Sequence, residues 1–202
     1  MKRYLVIFLL IASTATAGLW NGSLFNQGTG TVTVTEEESG YSAKTVVVDI
    51  ANRHGGNFLA LRSIDFYLDD VLIPVTADDI TADSTTEYMY SAPEYVFITA
   101  LSKIDGHTTT GWRAATNWVT SQRIICVFDS AITFDSIVVN NHHEYGGDTD
   151  CGAKDTKIYI TDSEYTTTTY NAEVTGGTKI FDGQLAEHSA SNAVDNQTLE
   201  LE

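Results

Sequence analysis

Residues 123–129 read RIICVFD. An almost uninterrupted apolar run of that length, closed by a charge at each end, marks a β-strand buried on both faces. The neighbouring segments repeat the theme. Residues 136–140 (SIVVN), 157–161 (KIYIT), 178–181 and 198–202 read as strands downstream, and 44–50 (KTVVVDI) reads as one upstream. Residues 31–35 (TVTVT) alternate strictly. Residues 63–68 (SIDFYL) place Ile64, Phe66 and Leu68 on one face, and Asp69-Asp70 offers a tight turn into 71–75. Residues 63–75 are therefore expected to form a hairpin. The connections, longest at 76–94 and 140–156, are rich in Gly, Asn, Asp, Ser and Thr. Pro93 followed by 95–101 suggests one short helical turn. No window beyond Ala17 keeps a helical apolar period. The fold class expected is all-β, an antiparallel jelly-roll sandwich with few or no helices after the N-terminal segment.

The chain opens with Met1, Lys2 and Arg3, then an apolar run over 4–12, then Ala15-Thr16-Ala17. That order is the pattern of a secretory signal peptide, and the run is short for a bilayer span. Residues 1–17 are read as the signal, with an uncleaved anchor as the alternative. Residues 18–40 are read as a Gly- and Thr-rich lead-in, and 41–202 as the domain. Without Lys2 and Arg3 the chain keeps 9 Lys+Arg against 27 Asp+Glu, a net charge of −18. Such a field repels phosphate backbones and argues against nucleic acid as partner. No membrane insertion is expected after signal cleavage. The two cysteines, Cys126 and Cys151, permit one disulfide in an exported chain, closing a loop of about 25 residues worth about 3 kcal/mol. Cys126 also fits as a buried free thiol inside its strand.

Residues 105–161 carry a family pattern. Asp105-Gly106-His107-Thr108-Thr109-Thr110-Gly111-Trp112 resembles the D-G-x-x-x-T-x-W signature of discoidin-like domains, the coagulation-factor type C modules of the galactose-binding-like group. Residues 122–129 (QRIICVFD) stand where that family has Q-x-I-x-V-D-L. Residues 152–160 (GAKDTKIYI) resemble its G-A-K-x-x-x-I-Y strand. The resemblance implies a jelly roll whose loops at one end bind glycans, phospholipids, collagen or protein partners. Similar modules occur in structural proteins of phages and environmental viruses. It also implies a structural Ca²⁺ in the loop of Asp105 and Thr110, closed by a glutamate near the C-terminus, for which Glu200 stands. His107 departs from the family's usual Asp or Asn. The oxygen donors of Asp105 and Thr110 suit a hard cation. The alternative is that Asp105 caps a turn and Trp112 fills the core.

Residues 140–150 (NNHHEYGGDTD) form the second cluster. Adjacent histidines in an extended loop point in opposite directions, which disfavours one shared transition metal. Planar polar groups (His142, His143, Glu144) with Tyr145 or Trp118 as stacking surface suit sugar hydroxyls and sugar faces. A solvated loop is the plain alternative. The chain has no G-x-S-x-G, no H-E-x-x-H and no phosphate-cradling glycine loop, so it is not read as an enzyme. The function expected is a secreted or surface-displayed, non-catalytic module that binds a glycan or a surface protein. The alternative is a structural or adhesive protein, a virion or envelope component. Its place is expected to be outside the cytoplasm, in a periplasm, on a cell surface or on a virion.

Overall fold

The computed structural model describes residues 40–84, 91–97, 111–115, 120–190 and 195–202, within one compact unit spanning Glu38–Glu202. The expected signal segment, the 31–35 strand, Asp105, Thr110 and Trp118 lie outside the described residues.

The chain is an antiparallel β-sandwich. β1 (Tyr41–Ile50), β5 (Ala77–Ala82), β7 (Gln122–Phe134), β9 (Asp155–Thr161) and β10 (Thr178–Gln184) make a five-stranded sheet in the order β10-β9-β1-β7-β5. β3 (Ser63–Leu68), β4 (Val71–Leu72), β8 (Ser136–Asn140) and β11 (Asn196–Thr198) make a four-stranded sheet in the order β11-β8-β3-β4. A short pair, β2 (Ala60–Leu61) with β6 (Trp112–Arg113), sits beside them. Helix among the described residues is one turn, α1 (Glu94–Phe97), and one 3-10 turn (Thr149–Cys151).

Alternation places the core. Val46, Val48 and Ile50 of β1 and Ile124, Cys126 and Phe128 of β7 point inward. They meet Ile64 and Phe66 of β3 and Ile137 and Val139 of β8. Phe66 ties the layers together: its ring lies 5.6 Å from Phe128, edge on, and 5.0 Å from Phe134, both on the opposite sheet. Burying it contributes about 1.5–3 kcal/mol. Trp112 is fully buried in the same core, and its indole N–H donates to the Ser84 carbonyl at 2.9 Å.

The outer face of the five-stranded sheet is also covered. Val47, Ile125 and Val127 pack with Tyr159 of β9 and with Tyr165 and Val174 from the loop that follows β9. That cover explains why residues 122–128 are buried without a break and 124–128 are all apolar. The hairpin at Asp69-Asp70 forms as expected. Both aspartates take left-handed φ, 51° and 63°, the geometry of a type I′ turn.

Two expectations are corrected and one open alternative is decided. Residues 77–82 are a strand, not part of a long loop; β5 is an edge strand paired only with β7, and it carries little apolar sequence because one side faces solvent. The C-terminal strand is Asn196–Thr198 rather than 198–202. Of the two readings open for Cys126 and Cys151, a disulfide or buried free thiols, the structure has the free thiols. Cys126 lies between the sheets, whereas Cys151 sits on the 3-10 turn in a separate cluster with Phe58 and Ala60.

Candidate functional site

One end of the sandwich gathers the ends of β1, β8 and β10 and the starts of β3, β7 and β9. Their connections are sewn together by backbone bonds. His54 N–H donates to Gly152 O at 3.3 Å, Gly55 N–H to Asp150 O at 2.6 Å, Ala153 N–H to Ala60 O at 3.0 Å and Leu185 N–H to Lys154 O at 2.9 Å. The Asn141 amide bridges two loops, donating to Ala153 O at 2.7 Å and Ala186 O at 2.8 Å.

The loop expected to carry ligand contacts divides in two. His142 and His143 are buried, while Tyr145 is 75% exposed and Glu144 is half-buried. Glu144 and Gly147 exchange backbone bonds of 2.8 and 2.7 Å, closing a two-residue turn over Tyr145 and Gly146. Both take left-handed φ, 48° at Tyr145 and 76° at Gly146. An aromatic residue rarely adopts that backbone, so the turn holds Tyr145 outward at a conformational cost. Burial, reinforced by Asp148, pushes the Glu144 carboxyl above its usual range. The Arg113 guanidinium stands 3.9 Å from Glu144 and 3.5 Å over the Phe58 ring.

His143 and His188 stack with centroids 4.0 Å apart. Arg62 donates to His143 Nε2, and the Gly146 N–H approaches Nδ1 at 3.2 Å. His142 packs edge-on against Phe58 at 5.3 Å. Burial pushes the His142 pKa down to about 3, helped by the basic neighbours His143, Arg113, Arg62 and His188.

A second feature lies on the outer face of the five-stranded sheet at the same end. Asp182 pairs in register with Lys157, Lys157 with Asp49, and Asp49 with Arg123. The four side chains form a row of alternating charge across β10, β9, β1 and β7. Arg123 is buried, and every one of its N–H groups is used. Nε and Nη2 grip Asp49 at 2.7 Å each, Nη1 reaches Tyr165 Oη at 2.8 Å and Thr167 O at 3.2 Å, and Nη2 also reaches Ala172 O at 2.8 Å. Arg123 thereby pins the post-β9 loop to the sheet.

Over this row opens a cleft of about 220 Å³, lined by Asp49, Asp155, Lys157, Tyr170, Asp182 and Gln184 among others. Burial and the Asp49 charge push the Tyr170 hydroxyl up, so it stays a neutral donor. A hydrogen bond from Lys179 holds Asp182 below the usual carboxylate range, so it stays anionic. Asp155 accepts from Asn52 at 2.6 Å and keeps further acceptor capacity. Among the described residues the Lys157 ammonium has no ion-pair or hydrogen-bond partner.

Sequence reasoning passed over this cleft. The signal was present: Asp49 and Arg123 are each a charge inside an otherwise apolar strand, and buried charges of opposite sign are normally paired. Of the expected calcium ligands, Glu200 is exposed beyond β11. Among the described residues no three His, Cys, Asp or Glu are placed to hold one metal ion. No family model matches the chain, and neither curated proteins nor solved structures give a significant match.

Proposed function

We propose that this chain is a secreted or surface-displayed, non-catalytic binding module of the discoidin-like jelly-roll kind, and that its ligand is a glycan without acidic groups. The observation that carries the reading is the cleft over the charge row. Its lining mixes carboxylate acceptors, an ammonium, an amide and a phenol, the set that satisfies neighbouring sugar hydroxyls. Its volume falls below the roughly 300–1,000 Å³ of drug-sized pockets, which suits one sugar ring rather than a long chain. Asp49 spends its charge on Arg123 and Asp182 shares its charge with Lys179, which leaves Asp155 and Lys157 and a cleft without strong net charge, suited to a neutral ligand. The net charge of −16 on the whole chain disfavours acidic sugars and nucleic acid. Tyr145, on the loop at the same end, supplies a second surface for a sugar face.

A glycan array probed with the purified protein tests the reading. Neutral glycans should bind, acidic ones should not, and Tyr170→Ala should lose the signal while keeping its melting temperature. An array without any neutral hit would sink the proposal.

The second reading is a structural or adhesive protein that assembles through its sheets. It is favoured by β4, at the edge of the four-stranded sheet, where Val71 is 67% exposed and Leu72 47% exposed. An apolar edge of this kind invites pairing with another strand. Sedimentation decides it: a strict monomer across concentration removes this reading, and self-association abolished by Val71→Lys supports it.

A further inference from the structure

All the buried side-chain atoms without a hydrogen-bond partner among the described residues belong to four residues of two regions that meet at one end of the sandwich. They are Ser63 Oγ, both amide atoms of Asn140, His142 Nε2 and His188 Nε2. Ser63 and Asn140 are partners in the β3–β8 register, His142 follows Asn140 by two residues, and His188 stacks on His143. Buried orphans are rare in folded proteins and call for a physical account.

We propose that the buried His142, beside the His143–His188 stack, operates an acid latch, which holds the β8–β9 loop and the segment after β10 together while the His142 imidazole is neutral and lets them part when it is protonated.

The geometry leaves no room for an imidazolium at His142, whose buried Nε2 has no partner among the described residues. His143 has a guanidinium donor at Nε2 and an amide donor at Nδ1. The neutral ring accepts at only one nitrogen at a time, and a doubly protonated ring would set an N–H against each donor. His188 places Nδ1 2.6 Å from Ser189 O, so Nδ1 carries the proton and Nε2 is the buried lone pair. His142 is 6% exposed, touches the Phe58 ring, and its charged neighbours among the described residues are all basic: His143 on its own loop, Arg113 of β6, Arg62 before β3 and His188 after β10. Of the acids at this end, Asp195 lies near enough to His188 to feel its charge, and the others are engaged elsewhere or lie outward. Glu144 faces Arg113, Asp150 accepts from Gly56 N–H, Glu187 accepts from Thr149 and Asp195 accepts from Ser189 N–H.

The direction follows from linkage. Above the free-imidazole pKa of about 6.5, both closed and open forms are neutral and the latch is intact. As pH falls from there towards about 3, the open form takes up protons that the closed form refuses at His142. Each such proton shifts the balance about tenfold towards the open form per pH unit. Asp155 and Gln184, at the hinge of the two segments, line the cleft, so opening would unseat two of its walls. That last consequence rests on the glycan reading; the latch does not.

Hydrogen exchange of the full chain, corrected for intrinsic rates and followed from about pH 7.5 to about pH 5, tests the latch. Protection over 141–154 and 185–190 should fall at least about tenfold per pH unit below about pH 6.5, while β1 and β7 keep theirs. The double variant H142Q/H188Q should lose most of that slope. An imidazole titration by NMR on the unaltered protein stands beside it, should the variant not fold. Protection independent of pH over both segments, a slope retained in the folded variant, or His142 titrating near 6.5 in the closed protein would each overturn the proposal.

Discussion

Asp49 and Arg123 face each other across the β1–β7 ladder, joined by two parallel hydrogen bonds of 2.7 Å with both side chains shut off from solvent. Burial alone would lower the Arg123 pKa; the Asp49 carboxylate more than reverses this, so the guanidinium stays charged. Asp49→Asn leaves that charge buried without its counter-ion and should cost about 3–5 kcal/mol. Arg123→Lys keeps the charge but supplies three donors where five are used, and should cost about 1–3 kcal/mol. Denaturant unfolding measures both. In both variants limited proteolysis should cut first between residues 163 and 176, where Tyr165, Thr167 and Ala172 lose their anchor.

The free thiols make a second prediction. Cys126 and Cys151 are both buried, and burial pushes each thiol above its ordinary pKa, so neither is a ready nucleophile. The native protein should resist alkylation. Denatured without reductant, it should take up two alkyl groups, counted by mass. No uptake under those conditions would mean a disulfide.

At Gly56 the backbone runs hard against the 3-10 turn. A Cβ there would lie 2.1 Å from Cys151 Sγ and 3.0 Å from its backbone N. Gly56→Ala should therefore destabilise by about 1–3 kcal/mol. Adding Cys151→Ala should recover part of the loss, because the thiol clash goes and the backbone contact stays. The coupling is read from a double-mutant cycle.

The Asp69-Asp70 turn offers a gain. Asp70 holds φ at 63°, which glycine adopts without steric cost. Asp70→Gly should leave the fold unchanged and raise stability by several tenths of a kcal/mol, visible as a higher melting temperature.

What could be read in advance was what short-range pattern encodes. The run at 123–129 announced a doubly covered strand, and Asp-Asp between two apolar stretches announced a hairpin. β5 stayed hidden because an edge strand needs little apolar sequence; Ile80 is its one large aliphatic side chain. His142 and His143 read as loop surface, yet they are interior because Arg62 and His188, distant in sequence, fold over them. Of the charge row, only the buried charges at Asp49 and Arg123 left a local signal; their alignment with Lys157 and Asp182 left none. Asp49, Arg123, Lys157 and Asp182 meet only through strand register, which no local window contains.

The central claim is that the cleft over this row receives a neutral glycan. Backbone amide shift mapping during titration with a neutral sugar tests it most directly. Saturable shifts are expected at Ala51, Thr156, Lys157, Tyr170 and Gly183, with the opposite edge at Val71 and Leu72 unmoved. Shifts elsewhere with the cleft silent, or no shift up to millimolar sugar from any array hit, would contradict it.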